Sequence, residues 1–196
     1  MTDKVTINIP VQYEAIALKT KALGFDMPSD LQTGSLLRTL VASKPGGRIL
    51  ELGTGTGLAT SWMLSGMDNS AALVSVDNNE LLISVAEEQL KGDRIQFVCA
   101  DGYEWITTYK GAPFDFIFAD AMPGKYDLFE ETFALLKTGG IYFIDDMLPQ
   151  PNWPEGHAQK VEAFIAALET RTDLVLTKLN WSTGIIIVTK TLNVKF

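Results

Sequence analysis

Little in this sequence can crosslink or chelate. Its 196 residues include one cysteine, Cys99, and one histidine, His157. A single thiol closes no internal disulfide and builds no thiolate zinc cluster, and a single imidazole excludes a histidine-rich metal centre. Cys99 lies in a strand-like run, where a free cysteine is expected to be buried filler. His157 is expected to be a surface or capping residue at the start of a helix. Positive charge is scarce too: 16 Lys and Arg stand against 24 Asp and Glu, a net charge of −8. Lys and Arg form no long basic run, so the surface that nucleic acid requires is not evident. No apolar run approaches the roughly 20 residues that span a bilayer. The first residues, Met1 to Val5, show no charged segment followed by an apolar one. The expectation is a soluble, cytoplasmic protein with neither nucleic acid nor a membrane as partner.

What is present is an ordinary globular composition, 46% hydrophobic and 20% charged, over a length that suits one domain, residues 1–196. Strand-like runs at Arg48–Leu52, Ala72–Asp77, 95–100, Phe114–Ala119 and 141–145 alternate with helical periods. Leu82, Val85, Ala86 and Leu90 share one helical face. So do Phe129, Phe133 and Leu136, and so do Val161, Phe164, Ile165 and Leu168. Such alternation predicts a doubly wound α/β fold, a mostly parallel seven-stranded sheet with helices on both faces. The last two runs, Leu174–Leu179 and 184–189, are joined by a turn-like Asn180-Trp181-Ser182-Thr183-Gly184, which predicts an antiparallel C-terminal hairpin. Two helices, over 11–23 and 31–43, precede the first strand, with Ser29 or Asp30 as cap of the second.

The most informative segment is Glu51-Leu52-Gly53-Thr54-Gly55-Thr56-Gly57, where a buried strand runs into a glycine-rich turn and then a helix. Glycine lets a ligand lie against the backbone, and the helix N-terminus beyond favours negative charge. A dinucleotide site wants a final glycine that would fall at Leu58 or Thr60, and both positions fail. Glu51 suits a ligand with an ammonium group better than a pyrophosphate. The segment resembles the first motif of class I S-adenosylmethionine-dependent methyltransferases. The resemblance implies a Rossmann-like core over 46–196, with Glu51, Gly53, Thr54, Gly55 and Gly57 around the donor's amino-acid end. It places Asp77 and Asn78 at the ribose, Asp101 and Gly102 at the adenine, and Asp120 beside the donor. Asp77 and Asp101 could equally cap the helices that follow them.

Three further carboxylates, Asp120, Asp145 and Asp146, follow the fourth and fifth strands, where an open parallel sheet binds ligands. Three oxygen donors there suit Mg²⁺ or a similar hard cation. This part resembles the small, metal-dependent O-methyltransferases of the catechol and caffeoyl-CoA type, including Gln32-Thr33-Gly34-Ser35-Leu36-Leu37 in the second helix. The resemblance implies O-methylation of a small-molecule hydroxyl, with Asp120, Asp145 and Asp146 as metal ligands and room for a homodimer. Two departures stand out. Asp146 replaces an Asn, and the lysine expected three residues after Asp120 is Pro123, with Lys125 two residues further on. Asp120 and Lys125 are the candidate proton-handling pair. Helices in 1–45 and the proline-containing loop 147–155 are expected to wall the acceptor pocket. Two alternatives stay open: a metal-independent methyltransferase acting on another small nucleophile, and a non-catalytic S-adenosylmethionine-binding protein.

Overall fold

The computed structural model describes residues 8–192; the outermost parts of the expected 1–196 domain lie outside the described residues. Seven strands form one sheet in the order β3-β2-β1-β4-β5-β7-β6. They are β1 (Arg48–Leu52), β2 (Ala72–Asp77), β3 (Ile95–Cys99), β4 (Phe114–Ala119), β5 (Leu136–Ile144), β6 (Leu174–Leu179) and β7 (Ile185–Lys190). β1 to β5 pair in parallel, and β7 runs antiparallel between β5 and β6. The doubly wound sheet and its antiparallel C-terminal hairpin are therefore as expected. Strand order reverses between β1 and β4, and that reversal opens a crevice beyond their carboxyl ends.

The helices are α1 (Tyr13–Ala22), α2 (Leu31–Ala42), α3 (Leu58–Gly66), α4 (Glu80–Gln89), α5 (Gly102–Thr108), the short α6 (Met122–Lys125), α7 (Phe129–Ala134) and α8 (His157–Glu169). Successive strand residues point to opposite faces, and β1 shows what this does. Ile49 packs with Leu37 and Val41 of α2 and Met63 of α3. Leu50 and Leu52 pack on the other face, in the cluster that holds Ile106 of α5, Phe129 of α7 and Val161 of α8. These β1 residues are at most 1% exposed, and each such burial is worth about 1.5–3 kcal/mol. By the same alternation Glu51 points toward α3. α1 lies beside α3 and α4, with Ile16 against Leu58 and Leu90. Asp30 caps α2, accepting from the backbone N–H of Gln32 at 2.6 Å and of Thr33 at 3.0 Å.

Two expectations change. Leu136 does not share a helix with Phe129 and Phe133. α7 stops at Ala134, and Leu136 opens β5 opposite Phe114. Its apolar side chain is buried in either geometry, so spacing alone could not separate them. Cys99 is exposed, because β3 is an edge strand whose outer side no further strand covers. Among the described residues, no helix is long and apolar enough to cross a membrane.

Candidate active site

A cavity of about 750 Å³ lies over the carboxyl ends of β1, β2 and β3, within the usual range for small-molecule sites. Its floor is the glycine turn. Gly53 has φ +100°, and a Cβ there would stand 2.7 Å from the backbone oxygen of Asp120. A side chain at this position would force apart the ends of β1 and β4. Asp77 shapes the turn, accepting from the N–H of Gly55 at 2.8 Å and of Asn79 at 2.9 Å. Asp101 caps α5, accepting from Tyr103 N–H at 2.8 Å and Glu104 N–H at 3.1 Å. The capping reading of both aspartates is thus realised, and both also line the cavity. Of the expected donor-binding residues, Gly53, Gly55, Asp77, Asn78, Asp101, Gly102 and Asp120 form its wall.

Glu51, Thr54 and Gly57 stand behind that wall. The Glu51 carboxyl is fully buried on the α3 side, where Oε2 accepts from Thr60 Oγ1 at 2.6 Å and from Ser75 Oγ. Ser75 Oγ shares a second hydrogen bond with Thr54 Oγ1 at 2.6 Å. Glu51 Oε1 is buried with no hydrogen-bond partner. Burial pushes its pKa up to about 8, since the charged form loses hydration. Glu51 therefore braces the glycine turn from beneath instead of lining the cavity.

A second cavity of about 390 Å³ adjoins the first. Its walls come from the loop between α1 and α2, where the helices themselves were expected, and from α6, the end of β5 and the proline-containing loop. The Gln32-to-Leu37 segment is not part of the wall; Gly34 instead lets α2 close on Trp62, whose indole would stand 2.2 Å from an added Cβ. Asp26, Met27, Asp120, Ala121, Met122 and Asp146 line both cavities. Asp120 thus stands at their junction. Its side chain is 16% exposed, and Oδ1 lies 3.7 Å from Lys125 Nζ. Burial holds its pKa well above the usual carboxylate range; Lys125 opposes this shift, while Asp145 and Asp146 add to it.

Lys125 reaches the site through the Pro123-Gly124 turn. Gly124 has φ +87°, and a Cβ there would lie 2.3 Å from Leu52 Cδ1. Tyr142 OH donates to the Gly124 carbonyl and pins the turn to β5. The chain reverses tightly enough to send Lys125 back beneath Asp120, where it is 5% exposed.

The expected metal triad does not assemble. Among the described residues, no three His, Cys, Asp or Glu side chains are grouped to hold a metal ion. Asp145, only 3% exposed, already accepts from Thr183 Oγ1 at 2.7 Å and Asp146 N–H at 2.9 Å. Burial and Asp146 push its pKa up to about 6. Asp146 takes a left-handed backbone, φ 57°. The cation facing Asp120 is an ammonium.

His157 is not a bystander. It lines the second cavity, with ring centroids 4.6 Å from Trp153 and 5.2 Å from Tyr126. Burial and the charges of Lys125 and Lys160 lower its pKa, while Asp146 opposes them. Trp105 packs on Tyr109 at 4.7 Å, a structural role. Tyr103 lines the first cavity while donating to Asp127 at 2.9 Å. Sequence reasoning missed Asp26, Met27 and Tyr126. The signal for the first two was the polar break between α1 and α2.

A family model described as protein-L-isoaspartate(D-aspartate) O-methyltransferase matches residues 10–148. Over 117 residues the chain is 28% identical to a Mycobacterium ulcerans protein that carries the name O-methyltransferase; the match covers 57% of this chain and 52% of that one. A catechol O-methyltransferase of Mycobacterium tuberculosis is 25% identical over 122 residues, covering 60% of this chain and 56% of that one. The chain spans about half the length of the curated relatives it matches. The O-methyltransferase from Bacillus cereus, solved in complex with SAH, superposes with a TM-score of 0.81 at 22% identity, covering 95% of this chain and 94% of that one. That likeness shows the fold.

Proposed function

The chain belongs to the protein-L-isoaspartate(D-aspartate) O-methyltransferase family, and from that premise we propose that it moves the methyl group of S-adenosylmethionine to a hydroxyl of a small molecule. The observation that carries this reading is the shared wall at Asp120, where a donor-sized cavity meets a smaller one. The donor fits the first cavity with its adenosine along Asp77, Asn78, Asp101 and Gly102. The acceptor hydroxyl enters the second. Its oxygen attacks the methyl carbon in line, the carbon–sulfur bond breaks, and sulfur keeps the electron pair. The hydroxyl proton passes to Asp120, whose raised proton affinity makes it a stronger base than a surface carboxylate. Lys125 faces the same carboxylate and stabilises the negative charge that develops on oxygen.

The acceptor walls argue for a neutral or cationic molecule. Asp26, Asp30, Asp120, Asp145 and Asp146 line them against the single lysine Lys125. A carboxylate acceptor, such as an isoaspartyl side chain, would meet this negative field. We further propose a cytoplasmic single-domain protein with a small-molecule acceptor, no nucleic acid or membrane partner, and room for a homodimer.

Calorimetric titration with S-adenosylhomocysteine tests the donor half. Saturable binding is expected; no heat at millimolar ligand overturns the reading. Labelled methyl transfer to a panel of catechols, phenols and an isoaspartyl peptide then sorts the acceptors. Transfer to the peptide alone would overturn the choice of a hydroxyl. Donor binding with no transfer to any acceptor favours a binding protein.

A further inference from the structure

We infer that the Lys125 ammonium is the fixed cation of the acceptor cavity, standing where a divalent ion was expected and holding the acceptor oxygen beside Asp120. The inference rests on the proposed methyl transfer and deepens it. Three observations support it. Lys125 is 5% exposed yet lines the acceptor cavity, and burying an ammonium is costly unless opposite charge surrounds it. Here Asp120 stands at 3.7 Å and the Tyr126 ring at 5.6 Å. That gap exceeds a normal N–H···O distance of about 3.2 Å, so the ammonium has not spent its three donors on Asp120. An oxygen arriving from the cavity can accept one of them. Finally, the Pro123-Gly124 turn, pinned by Tyr142, fixes where the charge points.

The charges explain why a metal is redundant. Lys125 already acts on both Asp120 and Asp145. A divalent ion placed among the same carboxylates would be repelled by that ammonium at short range. In the transfer, the acceptor O–H loses its proton to Asp120 and the oxygen lone pair forms the new bond to carbon. Sulfur leaves with the C–S pair, and Lys125 takes no part in the proton transfer.

The test is Mn²⁺ titrated into the S-adenosylhomocysteine-loaded protein, with free Mn²⁺ read by electron paramagnetic resonance. The wild type is expected to leave Mn²⁺ free. Lys125→Met, which exposes the carboxylates to one another, is expected to bind it at least about tenfold more tightly. Equal affinity in the two proteins overturns the inference. So does wild-type turnover that EDTA abolishes and Mn²⁺ restores, a measurement that needs no variant to fold. Lys125→Arg, which keeps the charge, should behave as the wild type toward Mn²⁺. Lys125 does not line the donor cavity, so both variants should bind S-adenosylhomocysteine within about twofold of wild type. If the wild type binds none, the methyltransferase reading fails, and the Mn²⁺ comparison still reports on the ammonium by itself.

Discussion

The two cavities meet at Asp120 and are built by different means. The donor cavity is mostly backbone and capped loops: a glycine turn held by Asp77 and a helix start capped by Asp101. Asp77 and Asp101 accept from backbone N–H groups of the turns and helix start they shape. The acceptor cavity is mostly side chains from distant parts of the sequence, from Asp26 to Thr183, with charges crowded and partly unspent. A surface of fixed backbone suits a cofactor that never varies. A surface of interchangeable side chains suits a substrate that differs from one relative to the next.

The comparison breaks first at the shared residue. Asp120→Asn keeps the shape and removes the proton acceptor, so turnover should fall by about 10²–10⁴-fold, with S-adenosylhomocysteine affinity nearly unchanged. Because burial holds the Asp120 pKa above the ordinary range, wild-type turnover should rise with pH, with an inflection above that range. The variant should lose that limb. A variant that loses donor binding instead would place Asp120 in the donor half alone.

Beneath the donor half lies Glu51, where the test is stability. Its ordinary pKa of 4.5 rises to about 8 in the fold. Between those values the folded state holds a proton that the unfolded state has released. Stability therefore falls as pH climbs through that window and levels off above it, by on the order of a few kcal/mol in total. Glu51→Gln preserves the acceptor for Thr60 and Ser75 and removes the titration. Its melting temperature should drop less steeply between pH 5 and 8 than that of the wild type. An unchanged slope would mean that another group carries the dependence.

The same contrast explains how legible each half was. The glycine turn, the mostly parallel sheet with its antiparallel C-terminal hairpin, and Asp77, Asp101 and Asp120 as strand-end carboxylates could be read from residue type and spacing, because backbone geometry restricts which residues stand there. The burial of Glu51 could not, nor the path by which Lys125, named beside Asp120 from the sequence, comes back to it. Glu51 faces α3 through the pleat of β1, a direction that the motif by itself does not show. Lys125 stood five residues from Asp120, and only the tight Pro123-Gly124 reversal, with Leu52 forbidding a side chain at Gly124, brings it back. The three carboxylates looked like a metal site by type alone. The hydrogen bond that Asp145 accepts from Thr183, 38 residues away, could not be seen in a linear reading. Cys99 went wrong for a related reason: strand character was evident, but its position at the sheet's edge was not.

The smallest effect should come from the far wall of the acceptor half. Trp153 packs tilted against His157, and His157 packs edge-on against Tyr126, so a flat ring in the cavity has an aromatic surface to meet. Trp153→Ala removes that surface without touching the glycine turn. Such contacts are worth about 0.5–1.5 kcal/mol, so KM for an aromatic acceptor should rise by roughly two- to tenfold. For a small aliphatic alcohol KM should stay near wild type, and donor affinity should not move. Equal losses for aromatic and aliphatic acceptors would show Trp153 shaping the loop instead of greeting a ring. The acceptor's flatness would then have to be read from Tyr126 and Met27.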